Sequence, residues 1–473
     1  MKKISKLILL FIIILFNTNQ LYSRAGGGGG RSHSSSHSSS SHHSSSHSSN
    51  HSGRSSGTIS GQAILIIFGS VIGILVLAAI LTSIRRKTNN QRGNGNKNKS
   101  DSNKPIITTE FMNANPGFNK EQFKSKVKIA FLSIQEAWSQ QNLSKVRNWI
   151  SDGIYQRFNL QFEMMKQLEQ KNLISNVTIQ QIKFVKAYVE SNFSVITIEI
   201  HFKMDDKFIS EKMKHLNENY TGEEAMEYWT FIKKSGAIDK DLYSNNSCPN
   251  CGNELNKDGG EVSKCPSCST VTYLGDYDWV LSEITQEDDY EYDNEIDEDE
   301  INKLTELKKE EEFCIQNMED KASNAFVHYL FASAWNESSH FKRFATDKVI
   351  DEINSEKDEP YIYNRIYLNS VTYSECTFDE DTHHLNFIVV YSAQKVQLKN
   401  NDVKEIDEDV ETYWGGLTLS RKAGVKTKSR LWSHECPNCG APYNDSTSSS
   451  CSYCNAKINS PTLDWVVTSA HKQ

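Results

Sequence analysis

The sequence predicts a membrane-anchored protein of α+β class, built from two similar units in which helices precede strands. Three observations lead to that expectation. First, the order strand, cysteine module, strand occurs twice. Tyr228-Trp229-Thr230-Phe231-Ile232 is followed by Cys248-Pro-Asn-Cys251 and Cys265-Pro-Ser-Cys268, then by Tyr277-Asp278-Trp279-Val280-Leu281. Tyr413-Trp414 is followed by Cys436-Pro-Asn-Cys439 and Cys451-Ser-Tyr-Cys454, then by Leu463-Asp464-Trp465-Val466-Val467. Second, helical and then strand periodicity precede each module in the same order. Third, residues 63–84 form an uncharged apolar run long enough to cross a bilayer. With 473 residues the chain has room for two or more domains. Its net charge of −8 disfavours a general nucleic-acid binder.

Residues 1–25 read as a signal peptide. Lys2, Lys3 and Lys6 form the charged start, Leu7 to Phe16 the apolar core, and Ser23-Arg24-Ala25 the small-residue cleavage region. An uncleaved anchor is the alternative, and it leaves the large C-terminal part on the same side. Residues 26–61 contain Gly, Ser and His almost alone and cannot build a core, so they read as disordered; the histidines offer at most weak metal binding. The membrane helix, 62–84, carries Gly69 and Gly73 at a spacing that permits close helix contact. Arg85-Arg86-Lys87 follows at once, which predicts a cytoplasmic location for 85–473 and an extracytoplasmic one for 26–61. Residues 85–110 are a basic linker, in which Arg92, Lys97, Lys99 and Lys104 could lie against anionic headgroups or serve only to set topology.

The first unit spans 111–286. Phe123, Val127, Ala130, Ile134 and Trp138 step by three and four, which predicts a helix over 118–140. A short second helix is expected over 142–149, and Tyr155, Phe158, Phe162, Met165 and Leu168 mark a third. These aromatic stripes read as core. Strands are expected over 177–189, 195–202 and 221–234, with a last one beginning at Tyr277. In the second strand Thr197, Glu199 and His201 should face away from the core, and His201 and Asp205 show no catalytic partner in the sequence. The acidic run that opens 287–312 reads as a solvated, extended boundary. The second unit, 313–473, repeats the first: Phe326 to Trp335 answers Phe131 to Trp138, Val371 to Phe378 answers Val177 to Phe184, and Leu385 to Val390 answers Val195 to Ile200. Its third helix is shorter and weaker.

The cysteine spacings are C-x2-C-x13-C-x2-C and C-x2-C-x11-C-x2-C. Paired CxxC knuckles bring four thiolates onto one tetrahedral ion, so Cys248, Cys251, Cys265 and Cys268 are the ligands of one zinc and Cys436, Cys439, Cys451 and Cys454 those of a second. The zinc ribbons cover 246–275 and 434–460, each inserted in the last hairpin of its unit. Four sulfur ligands leave no position for water, so both zinc ions are expected to be structural. Gly252 and Gly440, just after the second cysteines, suit a turn of positive φ. A disulfide framework is the rival reading, which a reducing cytoplasm disfavours. Cys314 and Cys376 read as ordinary thiols. The ribbons lack a basic face for nucleic acid. One patch before the second ribbon, Arg421, Lys422, Lys426, Lys428 and Arg430, reads as a solvated hairpin flank or a contact for phospholipid or an acidic partner. No phosphate loop, dinucleotide fingerprint or nucleophile–base pair is visible, so no catalytic or cofactor-binding residue is assigned.

Phe131, Ala137-Trp138, Leu143, Val146-Arg147, Ser151, Tyr155 and Phe158, followed by strands, Glu227-Tyr228-Trp229-Thr230-Phe231 and Trp279, together resemble the Tim forty-four-like domain family, known from the mitochondrial inner-membrane translocase tether and bacterial relatives. The Ser23-to-Arg31 start and the following span also look like the bacterial members. The resemblance implies a cone-like fold similar to nuclear transport factor two, with helices across a curved antiparallel sheet. It also implies a membrane-associated binding role, with lipid contact and protein tethering. The duplication and the inserted ribbons depart from the family, so no partner-binding residue is carried over. The expected function is a non-enzymatic, membrane-anchored scaffold that binds protein partners of unknown identity. An enzyme or small-molecule binder using the cone's cavity is the alternative, and a nucleic-acid-binding ribbon protein the second.

Overall fold

The structure, a computed structural model, describes residues 106–255, 262–290, 298–356, 359–399, 402–426, 434–443 and 447–472. The expected signal peptide, Gly/Ser/His segment, membrane helix and most of the basic linker lie outside these residues. Among the described residues no helix is long and apolar enough to cross a membrane.

The first half opens with α1 (Thr109–Ala114), α2 (Lys120–Gln140) and α3 (Asp152–Gln167). Asn119 caps α2 by accepting the N–H groups of Glu121 and Gln122, and Gln141 ends it in the left-handed conformation. The expected helix over 142–149 is instead a turn and a short 3-10 segment, Arg147–Trp149. Asn142 diverts the chain there, because its side chain accepts from the Ser144 N–H at 3.0 Å and competes with helical bonding. Then come β1 (Gln170–Glu190), β2 (Phe193–Ser210), β3 (Glu218–Lys234) and β4 (Val280–Gln286), paired antiparallel in that order. The second half has α4 (Glu298–Lys303), α5 (Ile315–Trp335), α6 (Asp347–Ser355), β5 (Ile362–Asp379), β6 (Thr382–Lys399), β7 (Asp402–Glu405), β8 (Glu411–Lys422) and β9 (Val466–Lys472). Its sheet order is β5-β6-β8-β9, with β7 on the flank of β6. β1 and β5 each carry three register shifts against their partners. Bulges of this kind bend a strand, and they curve both sheets.

The halves match more closely by position than by residue type. Ser151, which caps α3, lies ten residues past the left-handed Gln141, and Thr346, before α6, lies ten past the left-handed Asn336. Ile150 bridges to Leu281, and Ala345 bridges to Val467. By this count Phe326 does answer Phe131, whereas Trp335 does not answer Trp138: Trp138 stands three residues before its left-handed cap and Trp335 one before. Tyr413-Trp414 likewise does not answer Tyr228-Trp229. Trp229 is fully buried, and the strand position that answers it is Leu417; Trp414 is 53 % exposed. α6 has nine residues against sixteen in α3, so the third helix is the shorter one in the second half.

One side of the first sheet carries Ile196, Ile198, Ile200, Phe202, Trp229 and Phe231, packed on α2 and α3. The other side is not solvated as expected: Thr197 is fully buried and Glu199 nearly so. The second half covers it. Ile232 and Val280 face Asn317, Asp320, Lys321 and Asn324 of α5 across a small cavity. The core of the second half reaches back to Met164, Leu168 and Met213 of the first. All described residues belong to one compact unit.

The acidic stretch is docked rather than solvated at both of its described ends. Asp289 accepts from Asn369 at 3.0 Å, Glu300 accepts from the Tyr373 hydroxyl and the Cys376 N–H at 2.9 Å each, and Leu304 and Leu307 are buried. Residues 291–297 lie outside the described set. Partners on β5 satisfy the Asp289 and Glu300 carboxylates, which fastens both described ends. Arg421, expected on a surface patch, is buried, pairs with Glu310 and lies 4.5 Å from the Trp465 ring; Lys422 pairs with Asp381 at 2.8 Å. Lys428 and Arg430 lie outside the described residues.

α3 and α5 meet where Gly153 faces Asp320. A Cβ on Gly153 would lie 2.8 Å from the Asp320 carbonyl oxygen and overlap its carboxylate. The same carboxylate accepts from the Ser151 hydroxyl at 2.6 Å and the Gly153 N–H at 3.3 Å. Gly153→Ala should therefore push the halves apart and cost about 1–3 kcal/mol, measured as a lowered denaturant midpoint, whereas Gly117→Ala, with open space around it, should cost far less. Equal midpoints for the two variants would contradict this packing.

Candidate metal centres

Each ribbon hangs between the last two strands of its half, β3 and β4 or β8 and β9. Four short turns build the two sites. In each turn the first cysteine's carbonyl accepts an N–H from the residue just past the second: Gly252, Ser269, Gly440 and Asn455, at 2.8 to 2.9 Å. All four residues have positive φ, between 56° and 78°. Glycine supplies that conformation at Gly252 and Gly440 without a Cβ penalty, while Ser269 and Asn455 bear it with a side chain. Antiparallel bridges close the turns at Ser247–Glu254, Lys264–Val271, Glu435–Pro442 and Ser450–Lys457.

These turns bring together all eight cysteines in the two sets expected. Within each set the four sulfurs lie within 4.8 Å of one another. Cys248 and Cys268 are 3.6 Å apart, as are Cys251 and Cys265; Cys436–Cys454 and Cys439–Cys451 are 3.7 Å apart. A disulfide needs about 2.05 Å, so none of these is bridged. A tetrahedral ion with sulfur at about 2.3 Å sets its ligands about 3.8 Å apart, close to the observed separations. The donor set therefore fits a thiophilic four-coordinate metal. Hydrogen bonds favour the thiolate at Cys268 in the first set and at Cys454 in the second. The Thr270 hydroxyl and N–H lower the Cys268 thiol to about 6. The Ala456 N–H and the Asn438 amide do the same for Cys454. Cys314 and Cys376 are both buried; Cys314 caps α5, with its sulfur 3.4 Å from the Asn317 N–H.

Beneath each ribbon the halves share a charged seat. Asp278 and Asp464 each accept the N–H of the following tryptophan at 2.8 Å. Lys126 pairs with Asp278 at 2.5 Å, and Lys233 lies 5.0 Å from the Trp279 ring. Lys321 stands where Lys126 does, fifteen residues before the left-handed cap, and Asp464 opposes the downward pull of burial on its ammonium. Arg421 takes the place of Lys233 over Trp465.

Further residues tie the ribbons to the body. Asn148 accepts from Ser263 at 2.9 Å and Thr272 at 3.1 Å. Buried Arg147 donates to the Ile150 carbonyl at 2.8 Å, pairs with Asp152, and lies 3.4 Å from the centroid of the Tyr273 ring. His434 meets Asp152 at 3.2 Å, and Lys264 of the first ribbon pairs with Glu435 of the second at 2.6 Å. Burial alone would raise the Asp152 carboxyl, but His434 and Arg147 overcome it and hold the group at about 2. Sequence spacing singled out none of these pairs; apart from the contacts of Arg147 with Ile150 and Asp152, their members lie far apart in the chain. His201 does have a partner: its ring lies 2.5 Å from Glu199, which, despite burial, Lys183 and His201 hold at about 2. Asp205 accepts from Asn176 and the Gly222 N–H, both at 2.6 Å.

Residues 107–245 match the family model of the Tim44-like domain. The match stops just short of Cys248, so both ribbons and the second half lie beyond it. No curated protein matches the chain. Among solved structures it is similar to an "Ntf2 like protein involved in plasmid conjugation", at 8% identity over 70% of this chain and 93% of that one, with a TM-score of 0.13. A likeness at that score carries no weight for fold or function.

Proposed function

We propose that this chain is a membrane-anchored, non-enzymatic protein-binding scaffold whose two cysteine centres hold structural zinc. The observation that carries this reading is the all-sulfur donor set of both sites. Four cysteines complete a tetrahedral zinc and leave no position for a reacting water, so the ion would hold shape rather than activate substrate. In the first half Phe131 packs on Phe202 and Trp229, and Trp138 on Phe158 and Phe162, with ring centroids 4.7 to 5.4 Å apart. Two cavities between the halves hold about 20 and about 50 Å3, room for a few waters. The match of 107–245 to a Tim44-like domain favours a membrane-associated role in protein binding. In this reading each half is a cone-like unit with a bent sheet, 62–84 is the single membrane span, and 85–473 is cytoplasmic.

The ribbons would serve as docking surfaces. Affinity capture from solubilised membranes should recover stable protein partners. A chain that recovers none and instead retains a small metabolite would overturn the scaffold reading. Metal analysis of the purified chain should find about two zinc per molecule. Absence of metal together with oxidised thiols would overturn the zinc assignment.

A further inference from the structure

We infer that the two cysteine centres are coupled, so that metal held in one ribbon tightens metal in the other; the inference rests on the proposed metal reading. Two connections join the ribbons: the first starts beside a cysteine at each end, and the second starts two residues before Cys436. Lys264 immediately precedes Cys265, Glu435 immediately precedes Cys436, and their side chains pair at 2.6 Å. Both residues also form the bridges that close their own knuckles, Lys264 with Val271 and Glu435 with Pro442. The second connection runs from His434 to Asp152 at 3.2 Å, from Asp152 to Arg147, and from Arg147 onto the Tyr273 ring at 3.4 Å. Tyr273 lies just past the closing strand of the first ribbon, whose Thr272 is bonded to Asn148.

The physical consequence follows from what orders a knuckle. Among the described residues each ribbon buries only a small cluster: Leu242, Cys248, Leu255 and Cys265 in the first, Cys436, Cys451 and Ile458 in the second. Without the ion the turns have little else to fix them. Release of metal from the second ribbon frees 434–435 and breaks both connections at once. Release from the first frees 264 and loosens Tyr273. The effect of each site on the other must then be equal, because coupling between binding equilibria is reciprocal.

The test uses the full-length chain in detergent, loaded with zinc and challenged with a chromogenic chelator. Cys439→Ser removes the second site, and the remaining metal should then be held roughly 5-fold to 10-fold less tightly, the low end for coupled sites. A charge-exchange series tests the coupling without removing a ligand. Lys264→Glu and Glu435→Lys should each weaken retention of both metals, and the double exchange should recover most of the loss. Retention unchanged in Cys439→Ser, with a flat exchange series, overturns the coupling and leaves the zinc reading intact. A chain that takes up no metal overturns both.

Discussion

Cys436→Ser is expected to take one metal from the protein and unfold the second ribbon, leaving the sheet that carries it in place. Cys436 is buried beside Cys451 and Ile458, and among the described residues these form one small apolar cluster with Tyr443 and Cys454. For a module of this kind the free energy of metal binding is the folding free energy, about 10–16 kcal/mol in zinc-finger peptides near neutral pH. Serine cannot replace the thiolate donor at that position. β8 and β9 stay paired through their own ladder, and Trp465 stays packed against Phe313 and beneath Arg421. Metal content should fall from about two per chain to about one, and limited proteolysis should begin to cut between 434 and 460. Unchanged metal content and an unchanged cleavage pattern would remove the basis of the second centre.

The parts of this architecture that showed in the sequence are those encoded locally. Strict CxxC spacing forces a tight turn, so the grouping of the eight cysteines into two sets and the positive φ of Gly252 and Gly440 could be read before any fold was known. The last strand, expected to begin at Tyr277, starts instead at Val280, just past Asp278-Trp279, where the carboxylate accepts the next N–H; Asp464-Trp465 precedes Val466 in the same way. Long amphipathic helices such as α2 were visible from their period. Pairings between residues far apart in the chain did not show. Glu435 beside a cysteine reads as a solvated charge until Lys264 is brought to it. Thr197 alternates with isoleucines and so reads as solvent-facing, yet the second half lies over it. The acidic stretch reads as a solvated boundary because only the fold supplies Asn369, Tyr373 and Arg421 to its carboxylates. Trp335 and Trp414 invited a residue-by-residue alignment of the halves that the helix caps and strand register do not support. A repeated architecture keeps its turns and ladders in step while side chains drift.

Arg147→Met should be the most damaging substitution outside the ligands, because one guanidinium ties three elements together. It is fully buried, donates to the Ile150 carbonyl, pairs with Asp152 at the start of α3, and lies over the Tyr273 ring at the base of the first ribbon. Methionine restores much of the volume but leaves Asp152 buried against His434 without its guanidinium partner. Breaking a buried pair in this way costs about 3–5 kcal/mol, with the lower end expected because His434 remains. The pH dependence has a definite sign. The Asp152 carboxyl titrates near 2 in the fold, below its ordinary 3.8, so its ion pairs stabilise the protein fully above about pH 4 and lose that contribution as pH falls toward 2. The penalty of Arg147→Met should therefore be largest near neutral pH. Denaturant unfolding at pH 7 measures it, and Arg147→Lys should recover only part of the loss, since an ammonium cannot bridge the carboxylate and the carbonyl while lying flat on the tyrosine. A variant as stable as the parent at pH 7 would mean that Arg147 does not seat the ribbons, and the route from His434 to Tyr273 would go with it.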